Sequence, residues 1–415
     1  MSHTTGAGAG SAESGADADS AGAGPGGSSP PAPPALPESR APQGEPPGVD
    51  SPAKGPPERS HRGSPSAAAL WRERILGLRE GSIIVVTLVV AIYFAVNTSS
   101  FFTSANFKTL LPYFAPFAIL GAGEVFVMIL GEIDLSIGGT YLLAPYLFYK
   151  LDASVGLGLV PSVIVALLAC MAVGMVNGFF VAVVGISSFV TTLGMLFALE
   201  GLTLIISHGQ PVATPGAQVH ATTHQVTHVV NGVHIQLPET VNHISTFAKV
   251  FGGGVYSELI WAVVLVIVLQ TVLTFTRWGL YTVAVGSNKL GAAEAGVRVR
   301  LVTVRNFILC ALTGGLVGIL EAVRSGTVQP DTAGANEILF YGIAAAVIGG
   351  TLLAGGSGTV VGALIGALFL GILHDGLTLQ GVNANYLLFY LGLAIIVAMT
   401  VNVYVQRARR GHGSG

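Results

Sequence analysis

The chain has 415 residues, of which 51% are hydrophobic and 10% charged, with a formal net charge of −2. Soluble domains carry about 25% charged residues, so a wholly water-facing surface is excluded, and the near-neutral charge gives no footing for nucleic-acid binding. Cys170 and Cys310 lie far apart inside apolar runs, which points to neither a disulfide framework nor a cysteine metal site.

In chain order, residues 1–68 come first and are rich in Ala, Gly, Pro and Ser. A segment so poor in large apolar residues cannot offset its ordering entropy, so it is expected to be a disordered cytoplasmic tail. It lacks the basic start and apolar core of a signal peptide. A membrane domain is expected over residues 69–410, with a short tail at 411–415. A membrane span needs about 20 mostly apolar residues. Ten runs qualify or come close: 80–97, 106–130, 136–150, 159–184, 188–206, 255–276, 305–323, 338–354, 358–373 and 386–404. The runs 136–150, 338–354 and 358–373 are short enough to be half-spans or re-entrant pieces packed in protein.

Basic residues in short loops mark the cytoplasmic side. Arg72, Arg74 and Arg79 precede the first run, and Arg407, Arg409 and Arg410 follow the last. The connection 277–305 holds Arg277, Lys289, Arg298, Arg300 and Arg305, whereas 207–254 holds only Lys249. Ten crossings with both ends inside satisfy these constraints: five before the 207–254 loop, one after it, and four beyond the basic connection. The expected fold class is therefore all-α integral membrane, with about ten transmembrane or re-entrant helices.

Within the outer loop, Gln225–Val230 and Val233–Leu237 flank Asn231-Gly232, a pair suited to a tight turn with positive φ at both central residues. A small extracytoplasmic β-hairpin is expected. His208, His220, His224, His228, His234 and His243 lie nearby. On a helix His220, His224 and His228 would align as for a metal. A hairpin instead sends His228 and His234 to opposite faces, which favours a solvated docking surface.

Glu124, Glu132, Asp134, Glu200, Glu321 and Asp375 lie in or beside the apolar runs. An acid at mid-membrane costs about 2.5–3.5 kcal/mol, against about 0.3–0.6 returned by Leu, Ile or Phe. These groups must face water, a partner helix or the interface, and a translocation path and structural hydrogen bonding account for them equally. Gly131–Gly139 breaks the helical pattern and places Glu132 and Asp134 before an expected N-cap at Ser136, where capping alone could explain them. Asn177-Gly178 and Ser188–Gly194 add an amide and hydroxyls that suit a polar solute or ordinary interhelical bonding. Gly358, Gly362 and Gly366 recur every four residues, as for one smooth packing face.

The connection Ala284–Val299 is dense in small residues and can form a short, low-relief helix for a cytoplasmic partner, or a solvated loop. Four stretches together carry a resemblance: Gly131–Gly139, Val176–Gly178 with Ser188–Gly194, Gly286–Val297, and Ile343–Thr359. In this order, over residues 80–404, the chain resembles the permease subunit of bacterial ABC importers of the ribose and simple-sugar type. It departs from that pattern at Glu132, where the family more often has Gly.

The resemblance implies that Gly286, Asn288, Ala292, Ala293, Glu294 and Gly296 belong to the segment contacting an ATPase subunit. It makes Asp134, Asn177, Phe189 and Thr192 candidates for the lining of the path. It further implies a second permease chain, identical or not, two ABC ATPase subunits, an extracytoplasmic solute-binding protein, surrounding membrane lipid, and a multi-pass place in the bacterial inner membrane. The implied solute is small and polar, a monosaccharide or similar, moved by alternating access. No Gly-x-x-x-x-Gly-Lys-Ser/Thr occurs, so ATP and Mg are expected on the partner ATPase and no cofactor on this chain, which is not itself an enzyme. The rival readings are an ion-coupled secondary transporter using the intramembrane acids, a membrane-embedded enzyme and a passive channel. The enzyme reading finds neither a His-Glu-x-x-His nor a Gly-x-Ser-x-Gly signature in its support.

Overall fold

Where the sequence keeps apolar runs free of charge it forms helices, because a helix satisfies its own backbone donors and acceptors and hydrocarbon supplies none. In the computed structural model, which describes residues 80–412 apart from 218, 231 and 232, the helices in chain order begin with α1 (Gly81–Asn97), α2 (Ser104–Ile129), α3 (Ser136–Tyr149), α4 (Leu159–Phe179) and α5 (Ser188–Ser207). There follow α6 (Thr246–Val250), α7 (Ser257–Phe275), α8 (Arg277–Ser287), α9 (Lys289–Glu294), α10 (Val299–Ser325), α11 (Thr332–Ile348), α12 (Val360–Leu379) and α13 (Ala384–His412). The expected tail 1–68, the arginines 72, 74 and 79, and the Asn231-Gly232 turn lie outside the described residues.

Six of these elements, α2, α4 with its π-helical extension, α5, α7, α10 and α12, are long and apolar enough to cross a membrane. The run expected at 358–373 extends to Leu379 and is no half-span by length. The run expected at 338–354 is displaced. Its helix α11 starts at Thr332 and stops at Ile348, where Gly350, with φ 93°, helps turn the chain into a loop. Gly358 consequently precedes α12, while Gly362 and Gly366 meet the carbonyls of Gly349 and Ala345.

Two helices carry the core. In α2, Ala115–Ile129 are all buried, and α10 buries most of its length from Val302 to Val323. Helices α4, α5 and α7 instead keep large apolar side chains outward, among them Leu168, Phe197 and Ile267. Lipid is as apolar as leucine, so the bundle is held by close packing rather than by burial from water. At Gly318 an added Cβ would collide with the Tyr141 carbonyl, so glycine is what lets α10 touch α3 there.

Among the described residues there are also four strands. β1 (Val212–Ala213) pairs antiparallel with β4 (Thr327–Val328). β2 (Val219–Val230) pairs antiparallel with β3 (Val233–Ile244), from Val230 opposite Val233 out to Val219 opposite Ile244, beyond the Gln225–Leu237 stretch read from sequence. His228 stands opposite Ile235 and His234 opposite Val229, one register step apart. The helical alignment of His220, His224 and His228 does not arise, because these residues are in a strand.

Candidate functional site

The chain between α2 and α3 is a short irregular segment in which Asp134 is fully buried. Its Oδ1 accepts from the backbone N–H of Ser136 at 3.0 Å and from the Ser136 hydroxyl at 2.6 Å. Asn177 Nδ2 of α4 donates to Ser136 Oγ at 2.6 Å. From α5, Thr192 Oγ1 accepts from the Leu135 N–H at 3.0 Å, and Ser188 Oγ accepts from the Ile133 N–H at 3.3 Å. Ser136 is the first helical residue rather than the expected N-cap, Leu135 stands at the cap position, and Asp134, one residue earlier, accepts the first helical N–H. Asp134, Asn177 and Thr192, three of the residues the resemblance assigned to the path, come together in one closed knot, each with no exposed surface. Phe189 stands apart, 54% exposed on the outer side of α5.

The other intramembrane acids separate by their neighbours. Glu124 of α2 is wholly buried, and both its carboxylate oxygens are without a hydrogen-bond partner. Glu132 pairs with Lys289 at 3.8 Å. Glu200 accepts from Asn336 Nδ2 at 2.9 Å, and Asp375 from Asn106 Nδ2 at 2.7 Å. Glu321 is held by Arg324, whose Nε also lies 3.2 Å from Glu258 Oε1.

The connection after α7 is mostly helical. Thr276 caps α8 by accepting from the Gly279 N–H, and Asn288 caps α9 by accepting from the Gly291 N–H at 2.9 Å. Ala292 turns inward among Val285 and Val302, while Asn288, Ala293, Glu294 and Gly296 are exposed. Gly296, with φ 83°, ends α9 in a left-handed conformation that disfavours a side chain. Gly286 lies where α8 crosses the end of α2, and a Cβ there would collide with the Ile129 carbonyl. That same carbonyl accepts from the Gly356 N–H at 2.7 Å, so the segment, the end of α2 and the loop after α11 meet at one joint.

At the other end of α10 lies a cavity of about 270 Å³. Its wall includes Tyr141 of α3, Glu321 and Ser325 of α10, Thr327 of β4, Gln329 and Asp331. Behind Val328 and Ala322 of that wall, the Tyr146 hydroxyl shares its one hydrogen between the carbonyls of Gln210 and Val328 at 2.9 and 3.2 Å, and Thr214 Oγ1 donates to the Ala322 carbonyl at 2.7 Å. Arg324 stands between Glu258 and Glu321 and keeps 44% of its side chain exposed. Carboxylates, hydroxyls and an aromatic ring around one hollow can exchange hydrogen bonds with a polar solute. Sequence reading singled out Glu321 but not Tyr141, Glu258, Arg324, Gln329 or Asp331. The available signals were the Glu321/Arg324 spacing of three at the end of an apolar run, and Asp331 as a helix cap.

The sequence matches the family described as branched-chain amino acid transport system / permease component over residues 106–399. It is 33% identical over 339 residues to the xylose/arabinose import permease protein of Sulfolobus acidocaldarius, covering 79% of this chain and 86% of that one. It is 32% identical over 329 residues to the ribose import permease protein of Escherichia coli K12, covering 78% and 94%. To the D-allose transport system permease protein of the same strain it is 27% identical over 327 residues, covering 79% and 92%. No solved structure matches the chain.

Proposed function

The chain belongs to the branched-chain amino acid transport system / permease component family, and from that premise we propose that it is the membrane subunit through which an ATP-driven importer takes up a monosaccharide. It is a multi-pass membrane protein and the permease subunit of an ABC importer. The observation that carries this is the extent of the match. Residues 106–399 include both the outer cavity and the α8–α9 segment, and the relatives named for xylose, arabinose, ribose and allose cover most of the chain. A monosaccharide presents several hydroxyls on a small ring, which suits the carboxylates, hydroxyls and tyrosine around that cavity.

In this reading the chain crosses the membrane ten times with both ends inside. The α8–α9 segment and the loop after α11 face the cytoplasm, and β2–β3 with the α10–α11 connection face outward. The basic residues Arg277, Lys289, Arg298, Arg300 and Arg305 in and beside α8 and α9 support that orientation. Two copies enclose the path, a solute-binding protein docks outside, and two ATPase subunits receive α9 through Asn288, Ala293, Glu294 and Gly296. ATP and its Mg belong to those subunits. Ala292 seats α9 against Val302 near the start of α10, and α10 is 27 residues long, about 40 Å. A displacement of α9 reaches Glu321 and Ser325 along one stiff rod. The two states must differ in their contacts with the ATPase, since only differential affinity shifts the equilibrium. Asp134, Asn177 and Thr192 serve in this scheme as the pivot holding the α2–α3 segment against α4 and α5.

The test is uptake of a labelled pentose into proteoliposomes holding this chain, its ATPase and its binding protein. Accumulation should require ATP and all three components. Accumulation by the chain alone under an ion gradient would overturn the reading and restore the secondary transporter.

A further inference from the structure

A second hollow, of about 320 Å³, lies between the end of α6 and the first two turns of α7, walled by Lys249, Val250, Ser257, Ile260, Trp261 and Val264. We propose that it holds one anionic phospholipid of the leaflet meeting the Ser257 end of α7, with the phosphate on Lys249 and an acyl chain along Ile260 and Val264. The inference does not depend on what the importer carries.

The polar atoms of the wall other than Lys249 are occupied within the protein. Ser257 Oγ accepts from the Gly252 N–H at 2.6 Å and donates to the Val250 carbonyl at 3.0 Å. Trp261 Nε1 donates to the same carbonyl at 2.8 Å. A polyhydroxyl solute would find little to bond there. What the groove offers is one cation at its mouth and hydrocarbon below it, the pattern of an amphiphile with an anionic head. Among the described residues, the ion pairs join Lys289 to Glu132 and Arg324 to Glu258 and Glu321, and none engages Lys249. Lys249 is also the only lysine or arginine between residues 207 and 254, so the positive charge on this stretch is concentrated at the groove.

The position suits a lipid in depth as well. Trp261 and the half-exposed Tyr256 stand at the end of a membrane-length helix, where amphipathic rings sit at headgroup level. From Ser257 to Val264 is seven residues, about 10 Å along α7. This runs from the headgroup level into the upper acyl region. Ile260 and Val264 are 60% and 47% exposed, and Ile267 continues the apolar strip below them. A lysine beside a negatively charged headgroup gains attraction that a zwitterionic headgroup largely cancels.

The experiment is native mass spectrometry of the full chain, delipidated in detergent and titrated with phosphatidylglycerol or phosphatidylcholine of identical acyl chains. One phosphatidylglycerol should be retained about tenfold more tightly than phosphatidylcholine, a difference of about 1.4 kcal/mol. Lys249→Gln should erase that preference while leaving the lipid-free thermal midpoint unchanged. Val264→Trp should fill the groove and abolish retention of both lipids. Equal retention of the two lipids by the native chain, a preference surviving Lys249→Gln, or retention surviving Val264→Trp would each overturn the proposal.

Discussion

The inner knot around Asp134 and the outer cavity around Glu321 are built from the same materials and share α3, and they behave as opposites. Both place a carboxylate beside α3 in an apolar bundle. In the knot, Ser136 donates to Asp134, Asn177 donates to Ser136 and Thr192 accepts from the Leu135 N–H. Nothing is exposed, and Asp134 Oδ2 and Asn177 Oδ1 stay sealed in without a partner. At the cavity, Glu321 stands in a hydroxyl-bearing wall around a hollow, and Arg324 next to it is shared with Glu258 and still keeps 44% of its side chain open. The two acids thus differ in enclosure rather than in saturation: Asp134 is sealed among its neighbours, whereas Glu321 borders a hollow. The residue type alone does not decide this.

Four variants probe that contrast. Replacing Asp134 by Leu should have the largest effect, because it leaves the Ser136 N–H and hydroxyl unpaired in the core at about 1–3 kcal/mol each. The thermal midpoint of the purified chain in detergent should drop by several degrees, and uptake should fall only in step with the amount of folded protein. A variant that folded normally yet failed to transport would move Asp134 from the pivot to the path. Glu321→Gln should act the other way round. Glu258 still holds Arg324, so the midpoint should stay put while uptake falls about tenfold, or about 1.4 kcal/mol. A destabilisation as large as that of the knot variant would erase the distinction between the two regions.

Glu294→Lys addresses the far end of the rod that carries the cavity. It lies on the exposed side of α9 and touches neither cluster, so solute-stimulated ATP turnover should drop several-fold with binding-protein docking and stability intact. Normal turnover would remove α9 from the coupling surface. The smallest effect belongs to Glu132→Gln. Its pair with Lys289 spans 3.8 Å, and the lysine is 60% exposed. Such pairs contribute about 0–1 kcal/mol and weaken with salt. Uptake should change less than twofold, and a larger loss would show that the joint at Ile129 depends on that ion pair.

Much of the helical order was legible from apolar runs, because a lipid-exposed segment has no option but to close its own hydrogen bonds. Boundaries were less so. The displacement of α11 by several residues turns on Gly349 and Gly350 leaving the helix, and on Gly356 finding the Ile129 carbonyl, a partner more than two hundred positions away. The α8–α9 segment was found by its small residues, but the inward turn of Gly286 and Ala292 was not, since both look like exposed surface until α2 and α10 are packed against them.

Composition and periodicity by themselves determined that this chain enters a membrane, where its long apolar helices fall, and that its basic connection is a cytoplasmic candidate. These are local consequences of the cost of charge and bare backbone in hydrocarbon. Only the tertiary structure decided which acids are sealed in and which border a hollow. That depends on groups brought from distant elements, Asn177 and Thr192 to one end and Tyr141 beside Glu321 at the other, and no spacing along the chain encodes their meeting.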